Sequence, residues 1–264
     1  MLKLDVVIIE YHCFDDVKEA ITSVNEHLKS IDFKITVISN SEYDAVIQDK
    51  LKLEFSEVNI IFNDKNTGYA GGVNRALECI NSNYMFILNP DGRILNDGMT
   101  VLLADMAADS SIAIMGPRVV DEHGEIQPSC RNFPKPYTFI FLRTFLNKFT
   151  FTKNEQYRYL IEDFDRKNPK EVDWVSGGAM LVNVDIVKKI GGMDERYFLY
   201  MEDVDWCRTL NLSGYRIKFH PALEVLHAGQ HSSINNGLSS ILVKTTRWHL
   251  TSLFKFFMKW GWLK

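Results

Sequence analysis

The chain has 264 residues, 46% of them hydrophobic and 24% charged, with a formal net charge of -4. That length and balance suit one large α/β core with a small appendage, and the charge leaves no footprint for a nucleic-acid partner. The N-terminus Met1-Leu2-Lys3-Leu4-Asp5 breaks its apolar run with charge and has no cleavage site. No uncharged apolar stretch reaches the ~20 residues of a spanning helix, so neither a secretory signal nor a membrane span is expected. Cys13, Cys79, Cys130 and Cys207 lie without metal-ligand spacing, the pattern of reduced thiols in a cytoplasmic protein.

In chain order, short β-branched runs predict strands over 4–9, 34–39, 58–62, 84–88 and 112–115. Their near-continuous apolar character fits a mostly parallel sheet buried on both faces by helices. Between the first two, Phe14, Val17, Ile21, Val24 and Leu28 recur at helical spacing, and Met99, Leu102, Leu103 and Met106 form a second stripe. Residues 133–170 are rich in aromatics and bases with weak periodicity, which predicts a long binding or lid loop. A strand over 179–182 and a short helix after Asp185 precede the stop at Gly191-Gly192. A helix over 202–212 ends at Gly214, and a hairpin-like segment runs to His227. The tail places Leu250, Leu253, Phe254 and Phe257 on one helical stripe opposite Ser252, Lys255 and Lys259, with Trp260 and Trp262 following. Such a helix suits either a membrane surface or packing on the domain.

Four segments can carry chemistry. Asn66 to Arg75 follows a strand and opens a helix, with Gly68, Gly71 and Gly72 able to admit a phosphate or merely to make a tight turn. Asn89-Pro90-Asp91-Gly92 follows another strand, where Asp91 could hold Mg²⁺ or Mn²⁺ or simply shape the turn. Glu202-Asp203-Val204-Asp205 concentrates three acids at a helix start, more than dipole complementation requires, and points to proton transfer. His227 ends an apolar strand and could complete a metal site, whereas His231 reads as an ordinary surface histidine. Trp174, before Ser176-Gly177-Gly178, could face a sugar or belong to the core.

The order and spacing of these segments resemble family 2 glycosyltransferases of the GT-A fold, and within them the bacterial, O-antigen type rhamnosyltransferase branch. The most specific piece is Val175-Ser176-Gly177-Gly178-Ala179 through Gly191-Gly192-Met193-Asp194-Glu195-Arg196-Tyr197-Phe198 into Glu202-Asp203-Val204-Asp205, then Gly214-Tyr215, Pro221 and His227. Gly116-Pro117-Arg118, the run from Gln127 through Cys130-Arg131 to Pro134, and Arg247-Trp248-His249-Leu250 are similar to the same branch. The resemblance implies a GT-A domain over 1–233, with a nucleotide-binding half 1–115 and an acceptor half 116–233, followed by an amphipathic helical tail 234–264. It implies Asp203 as catalytic base and Asp91 with His227 as ligands of a divalent metal, Asn89 standing where the metal motif usually has its first Asp. Tyr11, Asn40, Asn66, Gly68, Gly71, Gly72, Asn89 and Asp91 would meet the donor. Trp174, Gly177, Gly178, Glu202 and Arg131 would line the sugar and acceptor region.

The function implied is an inverting transfer of L-rhamnose from dTDP-β-L-rhamnose to a lipid-linked saccharide of a surface polysaccharide, at the inner face of the cell membrane. Two departures fall on the base pocket: Glu10-Tyr11-His12 replaces the usual Asn-Tyr-Asn, and Ser39-Asn40 stands where an Asp usually ends the second strand. Alternatives are another donor, galactofuranosyl or hexosyl, a sugar-phosphate nucleotidyltransferase, or a non-catalytic nucleotide-sugar-binding scaffold. The nucleotidyltransferase would need a basic, glycine-rich signature near the first strand, which Glu10-Tyr11-His12-Cys13 does not supply.

Overall fold

A computed structural model describes residues 4–143, 149–227 and 244–261. The parallel core is β1 (Leu4–Glu10), β2 (Phe33–Ser39), β3 (Asn59–Phe62) and β4 (Tyr84–Leu88), with α1 (Phe14–His27), α2 (Ala45–Glu54) and α3 (Gly68–Cys79) as crossovers. Every residue of β1 is buried. Val7 and Ile9 enter one core cluster while Leu4, Val6 and Ile8 enter the other, so both faces are covered and the apolar run is uninterrupted.

After β5 (Gly92–Ile94), α4 (Met99–Ala108) and β6 (Ile112–Val120), the sheet ceases to be parallel. The later elements are β7 (Cys130–Arg131), α5 (Thr138–Arg143), α6 (Thr150–Leu160), β8 (Lys170–Val172), β9 (Trp174–Val175), β10 (Ala179–Asn183), α7 (Val184–Ile190), α8 (Glu202–Leu212), β11 (Arg216–His227) and α9 (Lys244–Trp260). Strand order is β3-β2-β1-β4-β10-β6-β11-β5, with β8 on β11 and a separate β7–β9 pair. β10 inserts antiparallel between β4 and β6, which carries the Ser176–Gly178 turn to the carboxyl end of β4.

Three sequence expectations need correction. The long loop expected over 133–170 contains α5 and α6. The buried face of α6 is Thr152, Glu155 and Tyr159, so polar residues hide the helical period, and Glu155 accepts from Thr138 and Arg158. The hairpin-like segment is one strand, β11. Its register on β6 slips between His220 and Glu224, around Pro221, and the strand continues to pair with β5. In α9 the apolar stripe is split. Phe257 is buried and Leu253 half-buried, whereas Leu250 and Phe254 are exposed together with Met258. Lys255 and Lys259 turn into the domain, donating to the Arg196 carbonyl and to Asp194 and Asp205.

Candidate active site

The register of β11 on β5 sets His227 opposite Gly92, one residue beyond Asp91. Asp91 Oδ1 therefore lies 3.4 Å from His227 Nε2, and Asn89 Nδ2 lies 3.5 Å from the same nitrogen. Both ionisable groups keep some exposure, 16% for Asp91 and 25% for His227. Among the described residues no group of three or more His, Cys, Asp and Glu converges. A carboxylate and an imidazole alone make too few ligands for a closed metal cage. They fit a divalent cation that takes its other oxygens from a diphosphate.

The β4-to-β10 pairing links this pair to the acids of α8. Gly178 accepts from the Asn89 amide at 2.8 Å, and a Cβ on Gly178 would sit 3.6 Å from the His227 ring. One residue earlier, the Gly177 amide donates to Asp203 Oδ2 at 2.9 Å, and its carbonyl accepts from Tyr69 Oη at 2.5 Å. Adjacent glycines thus connect the candidate metal pair with the candidate base. Asp203 Oδ1 accepts from the Val204 amide at 2.8 Å, which fixes the carboxylate.

Burial pushes the Asp203 carboxyl up, opposed by those two amides and by the positive charge of Arg131. Burial pushes Glu202 up as well, and the adjacent Asp203 charge adds to it. Glu202 Oε2 is buried without a partner among the described residues. Asp203 therefore loses its proton first and Glu202 keeps one to higher pH. A carboxyl raised above its unfolded value of about 4.3 contributes stability at lower pH that fades as pH rises through the raised value. Glu202→Gln, which mimics the protonated form, should melt at a higher temperature than the parent at pH 8. That advantage should shrink at pH 5, as parallel thermal melts would show.

Ahead of α8, Tyr200 and Met201 both hold left-handed backbone, with φ of 70° and 71°. Such non-glycine residues cost about 1–3 kcal/mol each and persist only where the surroundings over-determine them. Here α9 supplies the constraint. Trp248 packs on Phe198 with ring centroids 4.7 Å apart, His249 on Tyr200 at 4.9 Å, and Ser252 Oγ donates to the Leu199 carbonyl at 2.9 Å.

At the donor side, Tyr11 is 55% exposed and stands beside His12, with centroids 4.5 Å apart. Glu10 is fully buried, accepting from Ser39 Oγ at 2.5 Å and from Ser41 Oγ and the Cys13 amide at 3.0 Å. The carboxylate of this region thus comes from β1 instead of β2, and it is spent on holding the loop after β2. Asn40 is likewise consumed internally: it donates to the Gly68 carbonyl and accepts from Asn63 and Thr67. These bonds tie the end of β2 to the glycine turn.

The Gly68 amide is taken by Asn66 Oδ1 at 2.9 Å and the Tyr69 amide by the Phe198 carbonyl at 3.0 Å. With φ of +74°, Gly68 lets the chain pass against Phe198, while Cβ atoms on Gly71 and Gly72 would strike Thr67 and Ile9. These glycines serve close packing of α3, and the first two amides of that helix are already bonded within the protein. Trp174 is 4% exposed and donates to the Asn132 carbonyl at 3.0 Å, so its ring belongs to the core. Arg131 stacks on it, 5.0 Å from the ring centroid.

A mostly parallel mixed sheet flanked by helices, with a carboxylate–histidine pair at its strand ends, has the GT-A fold of nucleotide-sugar transferases. The chain belongs to glycosyl transferase family 2, whose model matches residues 5–191. It is 25% identical over 261 residues to rhamnosyltransferase WbbL of Escherichia coli (strain K12), covering 95% of this chain and 91% of the relative. It is 27% identical over 215 residues to the N-acetylglucosaminyl-diphospho-decaprenol L-rhamnosyltransferase of Mycobacterium tuberculosis, covering 75% of this chain and 67% of that protein. Among solved structures, GalNAc-T7 with UDP, GalNAc and Mn²⁺ superposes with a TM-score of 0.63 at 15% identity, covering 86% of this chain and 44% of the other. The Pyrobaculum calidifontis mannosyltransferase PcManGT with GDP-Man and Mn²⁺ gives 0.59 at 13% identity, over 97% of this chain and 64% of that one. These two likenesses establish the fold.

Proposed function

We propose that the protein transfers L-rhamnose from dTDP-β-L-rhamnose, with inversion, onto a lipid-linked saccharide acceptor in surface polysaccharide synthesis of the O-antigen type. The observation that carries the catalytic part is the Gly177–Gly178 turn, which joins Asp203 to the Asp91–His227 pair. The rhamnose donor is supported by the relatives, two of which are rhamnosyltransferases by name. The lipid acceptor is supported by the mycobacterial one, whose name specifies a decaprenol diphosphate.

Asp203, ionised and aimed by two amides, takes the proton of the acceptor hydroxyl as that oxygen bonds to the anomeric carbon and the bond to the nucleoside diphosphate breaks. Asp91 and His227 would hold a divalent cation, Mg²⁺ or Mn²⁺, whose chemistry when bound is Lewis-acid neutralisation of the departing diphosphate. Tyr11, exposed just beyond β1, would meet the base, a role its 55% exposure supports. A donor screen with metal-dependent binding and slow hydrolysis as readouts tests the assignment. Response to dTDP-rhamnose is expected. Response to another nucleotide sugar alone would replace the donor, and none at all would favour the non-catalytic scaffold.

We place the protein at the cytoplasmic membrane surface. No helix among the described residues is long and apolar enough to cross a membrane. Residues 244–264 hold no acid in a chain of net charge -4, and of their five Lys and Arg, Lys255 and Lys259 are engaged by the domain, which leaves Lys244, Arg247 and Lys264 for a surface. The exposed Leu250, Phe254 and Met258 recur every fourth residue along α9. A basic helix with such an outward apolar edge suits an anionic lipid surface. Leu250→Glu with Met258→Glu should weaken sedimentation with phosphatidylglycerol vesicles by about tenfold or more, each buried apolar side chain being worth roughly 1.5–3 kcal/mol. Unchanged binding would remove α9 from that role.

A further inference from the structure

A cavity of about 80 Å³ opens between β6, β10 and β11, lined among others by Gln127, Ser129, Arg131, Ser176, Gly178 and His227. It therefore adjoins both the candidate metal pair and, through Ser176–Gly178, the Asp203 turn. Arg131 is the only Lys or Arg among its described lining residues. The guanidinium is braced from the core side, 5.0 Å from the Trp174 centroid and 5.6 Å from that of Tyr159, both rings buried. Among the described residues its Nε is buried with no hydrogen-bond acceptor, and no carboxylate forms an ion pair with it. Asp203 feels its charge without touching it.

Arg118 and Arg166 also bury an unpartnered Nε, but their terminal nitrogens bond to Glu224 and to backbone carbonyls, which those of Arg131 do not among the described residues. Cation–π contact orients a guanidinium but does not replace the acceptors that water gave it, and a partly buried charge is retained where something pairs with it. Arg158 illustrates the ordinary solution in the same layer, pairing with Glu155 at 2.6 Å. Arg131 lacks the equivalent, so the structure assigns its counter-ion to a ligand. The ligand must be anionic, and it must present oxygens to a planar fork. One water needs about 10–15 Å³ of such cavity space, so the cavity has room for several waters or for a tetrahedral oxyanion. Phosphate oxygens match the guanidinium in charge and geometry.

We infer that Arg131 is the receptor for a phosphate group of a substrate diphosphate, bound in the cavity beside His227 and Ser176. The inference rests on the transferase reading for its choice of substrates, and those offer two sources of the same chemistry. One is the diphosphate of the lipid-linked acceptor; the other is the diphosphate of the donor. The β7–β9 pairing that sets Arg131 opposite Trp174 makes this part of the acceptor half, and Arg131 serves there as a binding group, not as a proton carrier.

The test compares the full chain with Arg131→Gln and Arg131→Lys. Calorimetric titration with inorganic pyrophosphate, without metal, should show binding that weakens at least tenfold in Arg131→Gln and less in Arg131→Lys. Steady-state measurements then separate the sources. A tenfold rise in KM for a lipid-diphosphate saccharide, with the Kd for dTDP and Mg²⁺ within twofold of the parent, identifies the acceptor. The reverse pattern identifies the donor. Equal affinity of parent and Arg131→Gln for pyrophosphate and for both substrates overturns the inference. Should Arg131→Gln fail to fold, Arg131→Lys keeps the charge and loses the fork, and unchanged binding in that folded variant overturns it equally. Pyrophosphate binding is read without turnover, so failure of the transferase assignment would show separately, as absence of any nucleotide-sugar response.

Discussion

Asp203→Asn is expected to lower the transfer rate by about 10²–10⁴-fold, the usual contribution of a positioned general base, while donor affinity stays within a factor of two. The substitution keeps an oxygen for the Val204 amide, but the side-chain NH₂ cannot accept from Gly177, whose amide now gives Asp203 Oδ2 its 2.9 Å bond. The base function is lost and the turn shifts slightly. Because Asp203 is raised by burial, the parent's acid limb should lie above the ordinary aspartate value of about 3.9. Removing Arg131, whose charge lowers Asp203, should move that limb to still higher pH. Single-turnover rates with saturating donor across pH 5–8 measure both effects. Turnover retained in Asp203→Asn would take Asp203 out of the base role.

What the sequence exposes and what it hides follow from the physics of each element. Strands β1, β2 and β4 are legible because burial on both faces leaves a continuous apolar run, and α1 because Val17, Ile21 and Val24 repeat at its period. Helix α2 escapes because only Leu51 of its residues is buried, and Val46 and Leu53 are exposed. Asp91, His227 and Asp203 could be named from motif order alone. Their juxtaposition could not, since it depends on the antiparallel insertion of β10 and on the register that sets His227 opposite Gly92. Trp174 and Asn40 show the converse limit. An aromatic before a glycine pair and an amide at a strand end look like ligand contacts, yet both are satisfied inside the protein. Their burial is a tertiary fact without a local signature.

Of the acidic cluster at 202–205, the third member has a different task, and Asp205→Ala should be the most destabilising of these substitutions. Asp205 is 1% exposed and accepts from Lys259 Nζ at 2.7 Å, Trp260 Nε1 at 2.7 Å and Tyr197 Oη at 3.1 Å. It thereby locks the end of α9 onto the helix that carries Asp203. Lys259 keeps Asp194 as a partner at 3.0 Å, but the substitution leaves the Trp260 and Tyr197 donors without their buried acceptor, a loss of about 1–3 kcal/mol for each. At roughly 2–4 °C per kcal/mol for a chain near this size, Tm should fall by about 10 °C. Neighbouring Asp194 is held well below the usual carboxylate range by Arg196 and Lys259. Its contribution is present above pH ~4 and lost as pH falls through the lowered value, so α9 should loosen first in acid. Release of α9 would uncover Phe256 and Phe257 and free Tyr200 and Met201 from their left-handed backbone. Limited proteolysis between 244 and 260 should therefore accelerate in Asp205→Ala, and transfer should fall with the acid limb unmoved. Full stability with α9 still protected would mean that the ring contacts of Trp248 and His249 hold the helix by themselves.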